Sequence, residues 1–314
     1  MSPDAWVRAE VLAAHDTAVV AALDWVARHG AVTRRGTDGV DQVDTRGLVA
    51  ALFRQHTSRS VDPQLHTHAL IWSKVQDPTG KWLALDARWL KYQQRSIGWV
   101  YDAALRTELA ARLGVEWERV VEGRSDMVAI PEALRQLFSQ RSEQVEAKLA
   151  EYVKRWSDEH DGAEPDPRTI ARLERWAVTD SRPPKLHGRE AKGLHAEWAE
   201  QALAAGFHPR SLPAGVRRLP GLATAWDREA VIAEAIARVS AESSTWLRAD
   251  LAREIATLLP PEAAGTASEL VALVDELVEE AAGRCIDLHP AAAPGMARRA
   301  DGRPVSEHVV DRRL

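Results

Sequence analysis

The chain contains a single cysteine, Cys285, among 314 residues. A lone thiol cannot close an intramolecular disulfide, so the fold must rest on packing and hydrogen bonding and suits a reducing compartment. Phenylalanine and tyrosine are scarce, at three each, which leaves few phenol groups for chemistry. No apolar run approaches the roughly 20 residues required to cross a bilayer. The opening MSPDAWVRAEVLAAHD reads as an amphipathic helix rather than a secretory leader. Excess positive charge is also lacking. The net charge of -5 argues against nonspecific coating of nucleic acid by the whole surface, although it leaves room for a local basic groove. No internal repeat of fixed period is present. With 45% hydrophobic and 28% charged residues, the composition is that of a folded protein, expected to be cytoplasmic.

Tryptophan is plentiful by contrast, with 12 residues. Trp6, Trp25, Trp176, Trp198 and Trp226 fall in helical patterns. Indole rings can stack on unpaired bases, but they bury so much area that core or half-buried packing is the expected role.

Periodicity divides the chain into two styles. Apolar positions from Val7 to Val26 recur at helical spacing and stop at Gly30. Short extended segments follow at 31–35 and 40–45, joined by a turn at 36–39. Residues 48–55 form a buried strand or a helix. A strand at 65–75, a turn at Asp77-Pro78-Thr79-Gly80 and a partner at 81–85 make a hairpin. A helix is expected over 94–113, closed by Gly114, then a hairpin over 117–130 turning near Gly123. After Pro131 the periodic segments are helical, at 131–156, 166–177, 188–205, 226–241, 245–258 and 267–283. Breakers separate them at 164–167, 181–184 and 208–221. The tail 289–314, rich in Ala, Pro, Gly and Arg, is expected to be disordered.

The segment FRQHTSRSVDPQLHTH, residues 53–68, concentrates the candidate chemistry. On a strand, alternate residues share a face, so His66 and His68 point the same way. Two imidazoles there and a third from a neighbouring segment, His56, can hold a divalent metal and leave positions open for substrate. Arg59 could clamp a phosphate. Asp62 could orient a histidine from behind, or with Pro63 simply make a turn. Any other histidine, such as His15, His29, His160, His187, His195 or His208, is expected to be a surface or packing residue.

The block HTSRSVDPQLHTHALI resembles the metal-binding signature of MobF-class (TrwC-type) conjugative relaxases, of the HUH endonuclease group. The similarity continues through KVQDPTGKWLALDARWL and YDAALRTELAARLGVEW, and CIDLHP and RRADGRPVSE resemble the connection that leads to a helicase region. The resemblance implies an α+β fold, an HUH-type relaxase palm of antiparallel sheet and helices, incomplete at its N-terminal side and followed by a mainly helical portion. It implies four segments: a partial palm with the histidine motif at 1–135, a DNA-enclosing helical part at 136–210, a helical connector at 211–288 and the tail. The implied activity is strand-specific nicking and joining of single-stranded origin-of-transfer DNA through a 5′-phosphotyrosine link. A divalent metal (Mg, Mn or Zn) would neutralise charge on the scissile phosphate, and tyrosine would give the covalent intermediate. The implied partners are single-stranded DNA with its adjacent duplex, and a separate helicase or N-terminal relaxase segment.

The sequence departs from the pattern twice. The first metal histidine of the family stands eleven residues before the second, where this chain has Gln55, with His56 one step later. One step along a strand reverses the face, so either a bulge restores His56 to the metal, or Gln55 offers an oxygen, or two histidines act alone. The nucleophilic tyrosines of the family lie ahead of the part that Met1 matches. Tyr92, Tyr101 and Tyr152 carry no nucleophile motif, so the catalytic residue is unassigned and cleavage is expected to be impaired. A non-catalytic DNA- and metal-binding remnant is the alternative, and a metal-dependent hydrolase using water is a third.

Overall fold

A computed structural model describes residues 4–36, 41–121, 123–184, 191–208 and 225–288. The expected tail at 289–314, the tip of the first turn and most of the breaker-rich 208–221 stretch lie outside the described residues. Two compact units emerge, and both are discontinuous in sequence. Among the described residues, the first combines those within 54–68 and 130–208, and the second those within 5–53, 69–129 and 225–288.

In the second unit the helix α1 (Ala5–Gly30) leads into an antiparallel pair, β1 (Val32–Arg35) and β2 (Asp41–Asp44), registered Val32 to Asp44. A second pair, β5 (Lys74–Gln76) and β6 (Trp82–Ala84), is registered Gln76 to Trp82. Its turn is tied by Asp77, whose carboxylate accepts from the Thr79 and Lys81 amides, and Gly80 takes the left-handed φ of 89°. Helix α2 (Ala87–Leu113) follows and ends at Gly114, in the left-handed conformation with φ 65°. It begins seven residues before the expected Gln94, because Asp86 ends the strand and the helical pattern has no breaker after it. The expected 117–130 hairpin is reduced to two isolated bridges, Trp117 to Met127 and Val121 to Arg124.

Three further helices, α7 (Arg228–Glu242), α8 (Arg248–Leu258) and α9 (Ala267–Gly283), complete this unit. Their apolar stripes meet α1 and α2 in one core that includes Trp25, Val100, Ile232, Leu251, Ile255 and Leu277. Small residues on α1 (Ala14, Ala18, Ala21, Ala22) are almost fully buried, which lets helix axes approach closely.

The first unit holds the inner parts of β3 (Ala50–Thr57) and β4 (Pro63–Ile71), and α3 (Glu132–Leu137), α4 (Gln140–Glu159), α5 (Pro167–Asp180) and α6 (Ala191–Ala204). The single helix expected over 131–156 is broken at Phe138 and Ser139. Its small core joins Tyr152, Leu173 and Ala177 to Leu149 and Trp156.

The ambiguous 48–55 segment is thus a strand. The expected continuous strand at 65–75 divides at Trp72 and Ser73, so the histidine pair lies on a strand paired with β3, and β6 pairs with β5. Trp25 and Trp198 are buried and Trp226 packs on the core, as expected. Trp6 and Trp176 are half exposed, at 50% each.

Candidate functional site

The site begins with the turn between β3 and β4. The Val61 amide donates to the Ser58 carbonyl at 3.1 Å and the Ser58 amide to the Asp62 carbonyl at 2.9 Å. Val61 itself adopts φ 69°, the left-handed region where a β-branched residue is out of place. The arrangement matches the turn at Asp77 to Lys81, where glycine fills the equivalent position.

Distant elements clamp this turn. The indole of Trp198, on α6, donates to the Val61 carbonyl at 2.9 Å, and Ser60 Oγ donates to Gln144 Oε1 on α4 at 3.0 Å. Asp62 is buried at 3% exposure. One carboxylate oxygen accepts from Ser58 Oγ at 3.1 Å and from the Arg141 amide at 3.3 Å, in the first turn of α4. The other oxygen has no hydrogen-bond partner among the described residues. The Asp62 carboxylate thus ties hairpin to helix rather than contacting a histidine.

Beyond the turn, His66 and His68 stand together on β4, with ring centroids 5.0 Å apart and planes at 81°. His66 Nδ1 lies 3.1 Å from the Gln64 carbonyl, which suits a tautomer with Nδ1 protonated and Nε2 free to act as a ligand. His56 is held below the usual imidazole range by partial burial first, then by the charges of Arg54 and His66. It therefore lies within electrostatic reach of His66, and the shift favours its neutral form, the form that binds metal. The donor chemistry of the pair suits a divalent transition metal. Among the described residues, however, no three His, Cys, Asp or Glu side chains stand close enough to form a ready-made metal cluster.

The ladder bears on Gln55 and His56. At the turn end Ser58 bonds Asp62, while at the far end the Trp72 amide bonds the Val49 carbonyl. β4 has nine residues and β3 eight, so the ends are out of step by one and β4 holds an extra residue. Counted from the turn, His56 shares the face of His66 and His68; counted from the far end, Gln55 does.

Beside the turn lies a cavity of about 590 Å³ lined by Arg59, Asp62, Gln64, Phe138, Arg141 and Arg182, among others. The Arg141 guanidinium donates to the Ser181 and Val178 carbonyls at 2.8 and 2.6 Å, holding the end of α5. The Arg59 and Arg182 guanidiniums have no such partner among the described residues. Arg141, Arg182, Gln144 and Trp198 escaped sequence reasoning because nothing local marks them, and they reach the turn only through tertiary structure.

The tyrosines differ in setting. Tyr101 hydroxyl is 2.8 Å from His15 Nδ1, and burial raises its pKa well above the ordinary phenol value. Tyr152 is buried and its hydroxyl donates to Asp180 Oδ2, which also raises its pKa. Neither is poised to ionise. The Tyr92 side chain lies outside the described residues.

Residues 3–205 match the model of the TrwC relaxase family. The chain belongs to that family. Two Escherichia coli proteins named multifunctional conjugation protein TraI, one from strain K12, are each 30% identical over 251 residues. That alignment covers 74% of this chain and only 13% of TraI. Solved structures of the conjugative relaxase TrwC also match. One, copper-bound and in complex with oriT DNA, is 32% identical with a TM-score of 0.53, covering 64% of both chains. Another, with a 27-mer DNA comprising the recognition hairpin and the cleavage site, is 31% identical with a TM-score of 0.53, covering 64% of this chain and 68% of that one. The α+β fold, with small antiparallel sheets and a helical portion, is the TrwC relaxase fold. In this TrwC-family chain no helix among the described residues is long and apolar enough to cross a membrane.

Proposed function

We propose that this TrwC-family chain acts in conjugative DNA processing, binding single-stranded origin-of-transfer DNA and presenting one phosphodiester to a divalent metal at His66 and His68. The pairing of these two imidazoles on β4 carries the reading. His56 is the proposed third ligand, supported by its proximity in charge to His66 and its lowered pKa. Relatives crystallised with DNA and with bound metal supply the context.

Each group has a physical task. The metal, when bound, neutralises charge on the phosphate that reacts. Arg59, uncommitted and beside the cavity, holds a neighbouring phosphate. The clamped turn fixes the near ends of β3 and β4, where His56 lies within electrostatic reach of His66. In the nicking reaction a tyrosine oxygen attacks phosphorus, the 3′-oxygen leaves, and the 5′-phosphate remains on the protein.

The hydrogen-bonded settings of Tyr101 and Tyr152 favour a second reading: this chain binds metal and DNA but draws its nucleophile from another polypeptide. Mixing the protein with labelled single-stranded origin DNA and Mn²⁺ distinguishes the two on a denaturing gel. A covalent protein–DNA band supports nicking by this chain, and its absence with intact DNA binding supports the second reading. Free, protein-less cleavage products would indicate hydrolysis by water.

Metal binding is tested by calorimetric titration of Mn²⁺ or Zn²⁺. His66→Ala/His68→Ala is expected to abolish binding, and unchanged binding would sink the site. Between His56→Ala and Gln55→Ala, the larger loss is expected for the histidine, on the order of tenfold or more for a lost ligand.

A further inference from the structure

The β5–β6 pair in the second unit presents an aromatic face to solvent. Its register sets Lys74 opposite Ala84, Val75 opposite Leu83 and Gln76 opposite Trp82. Val75 is turned inward at 1% exposure, so alternation puts Lys74, Gln76, Trp82 and Ala84 on the opposite, outer face. Trp72 joins them, its ring 6.0 Å from that of Trp82 with the planes 30° apart. These rings are 55% and 49% exposed. Burying them would be worth more than almost any other residue's burial, so leaving two side by side in solvent calls for an occupant. Lys74 and Lys81, on the same hairpin, are exposed and have no ion-pair partner among the described residues.

We propose that Trp72 and Trp82 form a stacking platform for the bases of single-stranded DNA, with Lys74 and Lys81 neutralising its phosphates. The chemistry fits one ligand class. Flat ring faces accept any base, ammonium groups follow the backbone, and the Gln76 amide between them can meet base edges. Val49 and Leu70 nearby are also exposed, at 47% and 67%, which makes an apolar protein segment the rival occupant. Interfaces between proteins are depleted of lysine at their centres, and here Lys74 shares the face of the rings while Lys81 adjoins Trp82 at the turn. The inference rests on the DNA-binding reading above and adds to it a surface made from residues of another unit.

The test is fluorescence anisotropy of a labelled oligothymidine strand with the full chain. Trp72→Ala/Trp82→Ala is expected to bind about a hundredfold more weakly, about a factor of ten for each lost stack. Trp72→Phe/Trp82→Phe should stay within a few-fold of wild type, and Trp176→Ala, another half-exposed tryptophan, should match it. Lys74→Glu/Lys81→Glu should flatten the salt dependence by about two phosphate contacts.

Wild-type binding that is unchanged in Trp72→Ala/Trp82→Ala overturns the platform alone. Wild type that binds no single strand overturns both the platform and the DNA-binding reading. A variant that loses self-association by light scattering yet keeps its DNA affinity assigns the face to protein contact and also overturns the platform. Should the alanine variant misfold by circular dichroism, the lysine pair decides, and an unaltered salt slope counts against the proposal.

Discussion

Val61 carries a left-handed backbone at a position where the equivalent turn uses Gly80. A β-branched residue there costs of order 1–3 kcal/mol, a strain that tends to persist where surrounding contacts over-determine it, as the Trp198 bond does here. Val61→Gly is expected to raise stability by about 1 kcal/mol in urea unfolding, and a loss of that size would refute the strain. Gly123 is the opposite case. At φ 78° a Cβ would come within 2.4 Å of the Trp99 ring, so Gly123→Ala should cost about 2 kcal/mol or more. Asp102 adds a pH-dependent term. Burial pushes its carboxyl up to about 6, against the opposing pull of Arg106 and Arg124. A folded pKa above the unfolded value near 4 stabilises most below pH 4, and that contribution is lost as pH rises through 6. Asp102→Asn should therefore melt higher than wild type at pH 8 by on the order of 1–3 kcal/mol, with the gap closing by pH 4 in calorimetry. A gap independent of pH would exclude the carboxyl as its source.

At the scale of elements, the helices were the most legible part. Period 3.6 located α1, α5, α7, α8 and α9 to within a few residues, because α1, α5, α7 and α9 each bury a stripe, while α8 is buried on nearly every side. Their ends follow local chemistry. Asp166 accepts the Arg168 and Thr169 amides at the start of α5, ahead of Pro167, and Thr266 with Glu269 closes a capping box on α9. Asp166→Ala is expected to destabilise α5 by about 1 kcal/mol, read as faster amide exchange over its first turn. Strands were harder to read. The break at Trp72 and Ser73 follows from a change of partner, β3 for β4 and β6 for β5, and partner choice leaves no periodic trace. The extra residue in β4 is equally silent: the His-x-His spacing is visible, but which of Gln55 and His56 joins that face depends on where the ladder slips.

For the whole molecule, the family match ends at 205, yet helices from beyond it complete the core around α1 and α2. A chain ending at residue 214 should expose the Trp25 and Val100 side of that core and bind a hydrophobic dye strongly, whereas wild type should not. Equal dye binding by both would show that α1 and α2 pack without α7–α9. The linear sequence determined the composition of a folded protein, the helical stripes, the histidine motif and through it the family, all of which depend on residues near one another in the chain. Tertiary structure decided the rest. It joined residues 54–68 to helices after 130, set Trp198, Gln144 and Arg141 on the histidine turn, and left Trp72 and Trp82 in solvent. Those contacts link positions separated by tens to more than a hundred residues, and their geometry follows from how the faces pack rather than from local spacing.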